Sequence, residues 1–210
     1  MKKNKLVLIS HLLILFFLTN CQNEDNVDDS NSVIINGNKV VSWAEAVKII
    51  KNGGDNKSYT VTIDSDIAVS PANLYSTTFG TVNNLEVILE GNGRFYLIKR
   101  GTLFWLGESH DDQLNKHEAS QKLILNGQIT FEGMRKGGNG NQDNNESIIY
   151  VGKGGTLEMR SGIITGNTIN SDFSSGYDAS AAVTVNSDGT FIMSGAIYVE
   201  MSATNMVVVQ

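Results

Sequence analysis

The residues best suited to chemistry lie in one short stretch, Ser109-His110-Asp111-Asp112, with His117 and Glu118 close behind. His110, Asp112 and His117 carry the nitrogen and oxygen donors that a divalent transition metal takes. Their spacing and the surrounding glycines match no metal-binding loop. The stretch therefore reads as a hydrated polar loop between Leu106 and Lys122, and no metal is expected. Ser109, His110 and Asp111 do not make a hydrolase by themselves, because no G-x-S-x-G turn presents a serine. Asn141-Gln142-Asp143 occurs once, without the repeating glycines of calcium-binding solenoid sequences. Met159 and Met193 read as gap-fillers of a core. Cys21 is the single cysteine, which excludes a disulfide scaffold and a cysteine-based zinc site. No cofactor is expected.

Cys21 takes its meaning from what precedes it. Met1 to Lys5 is basic, and Leu6 to Leu18 is apolar apart from Ser10 and His11. That run falls short of the about 20 residues of a membrane span and fits a signal peptide over residues 1–20. Leu18-Thr19-Asn20-Cys21 resembles the lipobox of bacterial lipoproteins, although Asn20 stands where that box usually has a small residue. The resemblance implies lipidation at Cys21. It also implies attachment in the bacterial cell envelope, at the outer membrane or cell surface rather than the inner membrane. Residues 21–32 hold Glu24, Asp25, Asp28 and Asp29 and are expected to form a flexible acidic tether. Loss of residues 1–20 removes Lys2, Lys3 and Lys5 and no acid, so the net charge moves from -6 to -9. An acidic exported chain without a basic stripe is not expected to bind nucleic acid.

The elements that would position any site begin with a helix. Ser42-Trp43-Ala44-Glu45 matches a capping box. Trp43, Ala46, Val47 and Ile50 follow at helical spacing, and Gly53 and Gly54 supply a stop. This predicts one amphipathic helix from Trp43 to Lys51. Short alternating runs then take over: 59–63, 85–89, 95–98, 103–106, 122–125, 129–131, 148–151, 156–159, 182–185 and 190–193. With 21 glycines against the single proline Pro71, they predict an all-β chain with many tight turns.

A repeat organises these strands. Ile149-Tyr150-Val151 matches Val183-Thr184-Val185, and Gly155 to Met159 matches Gly189 to Met193, both at an offset of 34. Ile163 matches Ile197, while Leu123, Leu125 and Ile129 match Leu157, Met159 and Ile163 at the same offset. Val183 and Val185 recur as Val207 and Val209 at an offset of 24. Both offsets fit a coil of about two dozen residues built from three short strands. The longer repeat then carries a polar loop at one corner, Gly137 to Glu146 or Asn170 to Ser180. Tyr150, Leu157, Met159, Ile163, Thr184, Phe191, Met193 and Ile197 are expected to point inward, with Ile149 and Val151 as rivals to Tyr150.

"GGTLEMRSGIITGN" from Gly154 and "DGTFIMSGAIYVE" from Asp188 resemble the repeats of bacterial right-handed parallel β-helix proteins of the pectin-lyase-like class. The segment from Trp43 resembles the helix and first strand that open such domains. The resemblance covers most of residues 33–210. It implies an all-β parallel β-helix, a solenoid of about four coils under an N-terminal capping α-helix. It leaves function open, because the fold hosts lyases, hydrolases, adhesins and surface proteins alike.

Carbohydrate chemistry on such a fold calls for paired acids that recur between coils. Glu158 aligns with Ile192 and Ile124, and Glu132 with Gly166, so the acids do not recur. The expected function is therefore non-enzymatic display, binding or adhesion, with extracellular glycan or protein ligands taken by the corner loops. The alternative is a small pectate-lyase-like protein that degrades polysaccharide, with Asp111 or Asp112 as its acid. The apolar end Val207-Val208-Val209 is expected to leave a strand edge that invites pairing.

Overall fold

A computed structural model of the chain describes residues 33–40, 42–71, 77–110, 116–134, 144, 146–167, 182–195 and 198–200, with backbone alone for 109–110 and 198–200. The expected signal peptide (1–20), the tether (21–32) with Cys21, Asp111, Asp112, Asn141-Gln142-Asp143, Asn170 to Ser180, Ile197 and Val207 to Val209 all lie outside the described residues.

The chain enters through a hairpin of β1 (Val33–Ile35) and β2 (Asn38–Val40). Asn36 and Gly37 turn it, both at positive φ, as tight two-residue hairpins require. Helix α1 follows over Trp43–Asn52, one residue longer than expected. Ser42 is extended, and its side chain accepts the Glu45 N–H at 3.2 Å. Gly53 closes the helix by donating to the Ile50 carbonyl at 3.2 Å. A Cβ on Gly53 would stand 1.7 Å from the Tyr59 hydroxyl, so a larger residue where helix meets sheet would have to displace the tyrosine.

From there the chain visits sheets A, B and C in a fixed order. The first circuit holds β3 (Lys57–Ile63) in A and β4 (Asp66–Val69) in B. The second holds β5 (Leu85–Gly91), β6 (Arg94–Leu97) and β7 (Phe104–Leu106), in A, B and C. A small antiparallel hairpin, β8 (Ser109–His110) with β9 (Lys116–His117), separates it from the third. That circuit holds β10 (Gln121–Leu125), β11 (Thr130–Glu132) and β12 (Ile149–Val151). The fourth holds β13 (Gly155–Met159), β14 (Ile163–Thr165) and β15 (Val183–Val185). The fifth adds β16 (Thr190–Met193) to A and β17 (Tyr198–Glu200) to B. Within sheets A, B and C the strands of successive circuits, from β3, β4 and β7 onward, pair in parallel. All ten runs expected to be strands are strands. The repeat leads to about four coils, whereas sheets A and B each hold five such parallel strands and sheet C three.

The pairing sets the faces. Leu123 and Leu125 stand opposite Leu157 and Met159, as expected, and all four are fully buried. Three inward assignments, Tyr150, Ile163 and Thr184, are corrected. Ile149 and Val151 are fully buried and Tyr150 is only partly so, which makes Tyr150 the outward residue of β12. Ile163 faces out and Ile164 in, because Phe131 pairs with Ile164 at an offset of 33, not 34. The turn between Leu125 and Thr130 is one residue longer than the turn between Met159 and Ile163, and a one-residue slip reverses every side chain of a strand. Phe191 is partly buried against the core, and Met193, expected inward, is 56% exposed. Thr184, expected inward, stands in the outward row opposite Tyr150, and Val183 and Val185 pack against the core instead.

Positive φ recurs just before the strands of sheet A, at Asn56 (59°), Asn84 (50°), Gly154 (80°) and Asp188 (65°). Asparagine, aspartate and glycine are the residues that tolerate this conformation. Asn84 Nδ2 also donates to Asn56 Oδ1 at 2.9 Å, so adjacent turns are tied side chain to side chain.

Under α1 the core is aromatic. The Phe104 ring stands 5.7 Å from Trp43, 5.6 Å from Phe95, 6.4 Å from Phe79 and 5.2 Å from Phe131. Phe104→Ala opens a cavity among all four. The expected loss is about 3–5 kcal/mol, measured as a lowered midpoint in urea unfolding.

Candidate functional site

Every passage from sheet B to sheet C leaves from one edge. Residues 98–103 join β6 to β7, residues 133–148 join β11 to β12, and residues 166–182 join β14 to β15. The two polar loops singled out by the repeat, 137–146 and 170–180, belong to the second and third of these passages.

The bases of the passages are stapled together. Asn144 is fully buried and sits at the centre. Its Nδ2 donates to the carbonyls of Gly101 (3.0 Å) and Glu146 (2.9 Å) and to Asn167 Oδ1 (2.9 Å). Its Oδ1 accepts the Gly101 N–H at 2.9 Å. Asn167, itself buried, donates from Nδ2 to the Glu146 carbonyl at 2.9 Å. Gly133 makes room: a Cβ there would come within 2.3 Å of Asn167 Oδ1. Three successive circuits are thus joined at one corner by two amide side chains. Burial raises the pKa of the Glu146 carboxyl at this corner above the usual carboxylate value.

Beside the corner, sheet C presents an aromatic pair. Trp105 and Tyr150 stack at 4.0 Å between ring centroids with planes 28° apart. Asn186 Nδ2 donates to the Tyr150 hydroxyl at 2.7 Å. An ion-pair chain borders it. Glu108 meets Lys116 at 2.8 Å, and Glu118 meets Lys153 at 3.2 Å and Lys116 at 4.0 Å. Glu108, nearly buried, holds the pKa of Lys116 above its ordinary value.

This chain of charges lies partly within the polar stretch between Leu106 and Lys122. Ser109 pairs with His117 and His110 with Lys116 across the β8–β9 hairpin. His117 and Glu118 are exposed. Among the described residues no group of three His, Cys, Asp or Glu side chains is placed to hold a metal ion. No helix among them is long and apolar enough to cross a membrane.

Sheet B carries an arrangement that the repeat does not reveal. Arg94 reaches Asp66 and Glu132, each at 2.6 Å, and its guanidinium lies 4.8 Å from the Tyr96 ring centroid. The two carboxylates, Asp66 first, raise the arginine's pKa further. Asp66 pairs with Arg94 at an offset of 28, and β6 with β11 at 36, so a search at 34 misses the row. On sheet A, Glu158 is gripped by Arg160 and Lys122, both at 2.6 Å, and its carboxyl is held below the usual range. These acids are tied to cations along the sheet faces.

Removal of the staple is expected to loosen the corner. Asn144→Ala leaves buried backbone groups unpaired and should cost about 2–3 kcal/mol in chemical unfolding. Glu146→Gln leaves the stapled backbone carbonyl in place and tests the carboxyl. A raised pKa in the folded chain means that Glu146 favours folding most when protonated, and that this contribution is lost as pH rises through the folded-state pKa. The Gln variant should therefore be more stable than the parent at neutral pH. The difference should shrink as the pH falls into the acid range, in melts recorded across pH. Compared with family models, curated proteins and solved structures, the chain matches none.

Proposed function

We propose that the chain is an exported lipoprotein, held at a bacterial envelope through Cys21, that displays loops on a right-handed parallel β-helix capped by α1. The displayed loops bind extracellular glycan or protein, and the protein is not an enzyme. The observation that carries this reading is the shared corner: polar insertions leave one edge from successive circuits, over bases stapled by Asn144 and Asn167. A stapled base holds a loop's ends while its tip varies, and binding sites concentrate on such loops. Strand pairing circuit by circuit favours the solenoid, since each coil then contacts only its neighbours and tolerates insertion at a corner. Several acyl chains on Cys21 would hold the chain stably, where one would bind weakly.

The carbohydrate-active alternative is expected to use Asp111 or Asp112, which lie outside the described residues, and the described acids nearest to such a pair are Asp66 and Glu132 around Arg94. An inverting hydrolase keeps its two carboxyl groups about 6.5–9.5 Å apart, with substrate and water between them. Here a single guanidinium bridges the two acids, which favours display. Release of sugars or unsaturated products from acidic polysaccharide by the purified chain, lost in Glu132→Gln, would reverse that preference.

Replacing residues 137–143 and 170–180 with Gly-Ser segments of equal length spares Asn144 and Asn167. The expected result on a glycan and matrix-protein array is loss of the parent's binding with an unchanged melting midpoint. Binding that survives both replacements discards the reading. Mass spectrometry of membrane-extracted protein should find acylated Cys21 at the mature N-terminus, and an unmodified Cys21 removes the anchor.

A further inference from the structure

Between α1 and β4 lies a cleft of about 830 Å³. Small-molecule sites have volumes of this order. Ala44, Val47 and Lys51 line it from one face of the helix, residues 67–71 from the sheet, and Thr77, Thr78 and Leu103 from the corner beyond. We infer that the cleft binds a linear aliphatic carboxylate, with its methylenes along the apolar wall and its carboxylate on the Lys51 ammonium.

The wall selects the body of such a ligand. Val47, Ile67, Val69, Pro71 and Leu103 supply aliphatic surface. Val47 and Val69 pack against the core but are only partly buried, so a chain laid over them removes apolar surface from water. Trp43 is the one aromatic residue among the described lining residues. It is 9% exposed, and its ring is taken up by Phe95 at 5.0 Å and Phe104 at 5.7 Å. That leaves no open aromatic face on which a sugar ring could stack. The hydroxyls are largely engaged as well. Ser42 accepts the Glu45 N–H, Thr77 donates to the Gly80 carbonyl, and Thr78 accepts the Trp105 N–H. A polyhydroxylated ligand finds few partners there, whereas an alkyl chain needs none.

Lys51 selects the head. It is the one charged side chain among the described lining residues. It is exposed and enters no ion pair among the described residues. A Cβ on Gly80 would stand 3.7 Å from Lys51 Cε, so the lysine stem rests against the 77–80 turn. About 10 Å of helix axis separates Ala44 from Lys51, which suits a medium-length alkyl chain. The inference depends on neither the corner loops nor the lipid anchor.

Isothermal titration calorimetry tests it on the full chain carrying Cys21→Ser, which takes no acyl group of its own. Decanoate, kept below its micellar concentration, should fill a single saturable site. Lys51→Met keeps the stem and removes the charge. It should weaken decanoate at least about threefold and leave the weaker decan-1-ol unchanged. Ala44→Glu, an exposed substitution in the wall, sets a charge against the alkyl chain and should weaken both ligands at least about tenfold. Should its melting midpoint fall, Ser70→Glu takes its place. Lys48→Met, on the same helix outside the cleft, should match the parent. Absence of saturable decanoate binding overturns the inference. So does binding that either the Lys51 or the wall variant leaves untouched. Equal loss of decan-1-ol in Lys51→Met does the same, since the charge then plays no part.

Discussion

Parallel pairing between strands that are distant in sequence is the constraint on which the rest of this structure depends. In sheets A, B and C the ladders from β3 onward run between successive circuits, and among the described strands after β3 the β8–β9 hairpin alone pairs immediate neighbours. Buried backbone groups must be paired, so each circuit has to return to the same register although the intervening segments differ in length. Offsets of 28, 36 and 34 along sheet A are absorbed in the turns and passages, while the inward rows stay aligned. The left-handed residues Asn56, Asn84, Gly154 and Asp188 re-aim the chain just before β3, β5, β13 and β16.

That constraint explains what could be read from the residues. Alternation of apolar and polar side chains marked ten strands, and Ser42 and Glu45 marked the helix start. Leu123, Leu125, Leu157 and Met159 were legible as inward because their rows repeat without slippage. Ile149, Tyr150 and Val151 were not, since all three have apolar bodies and only the burial of the outer two decides the face. Ile163 was misassigned by one residue of turn length. The β1–β2 hairpin has its local signal in Asn36-Gly37, outside the repeat that marks the other strands. The two-residue strands β8 and β9 are too short for any alternation to mark them.

The candidate site was legible only as a place. The repeat located the loops, but the staple beneath them lay hidden. Asn144 and Asn167 are ordinary members of polar stretches until the fold brings them to 2.9 Å. Gln121 behaves in the same way. It is almost wholly buried, donates to the carbonyls of Gly80 (2.7 Å) and Val82 (3.1 Å), and accepts from the Gly107 N–H (3.3 Å). Buried amides therefore serve at two places as cross-links between irregular segments. An amide suits that task, since it both donates and accepts and carries no charge to desolvate. The Arg94 row is different, because its partners sit on strands whose spacing departs from the repeat.

The same long-range pairing has a kinetic consequence. Almost no strand can form with its sequence neighbour, so local contacts contribute little to a folding nucleus, and chains of such topology fold slowly. The first place where local structure can gather is the α1 segment with the β1–β2 hairpin, where a capped helix and a tight turn form from nearby residues. Trp43 there meets Phe95 and Phe104 of the second circuit. Growth from that end would add circuits in order, each templated by the exposed edge of the last.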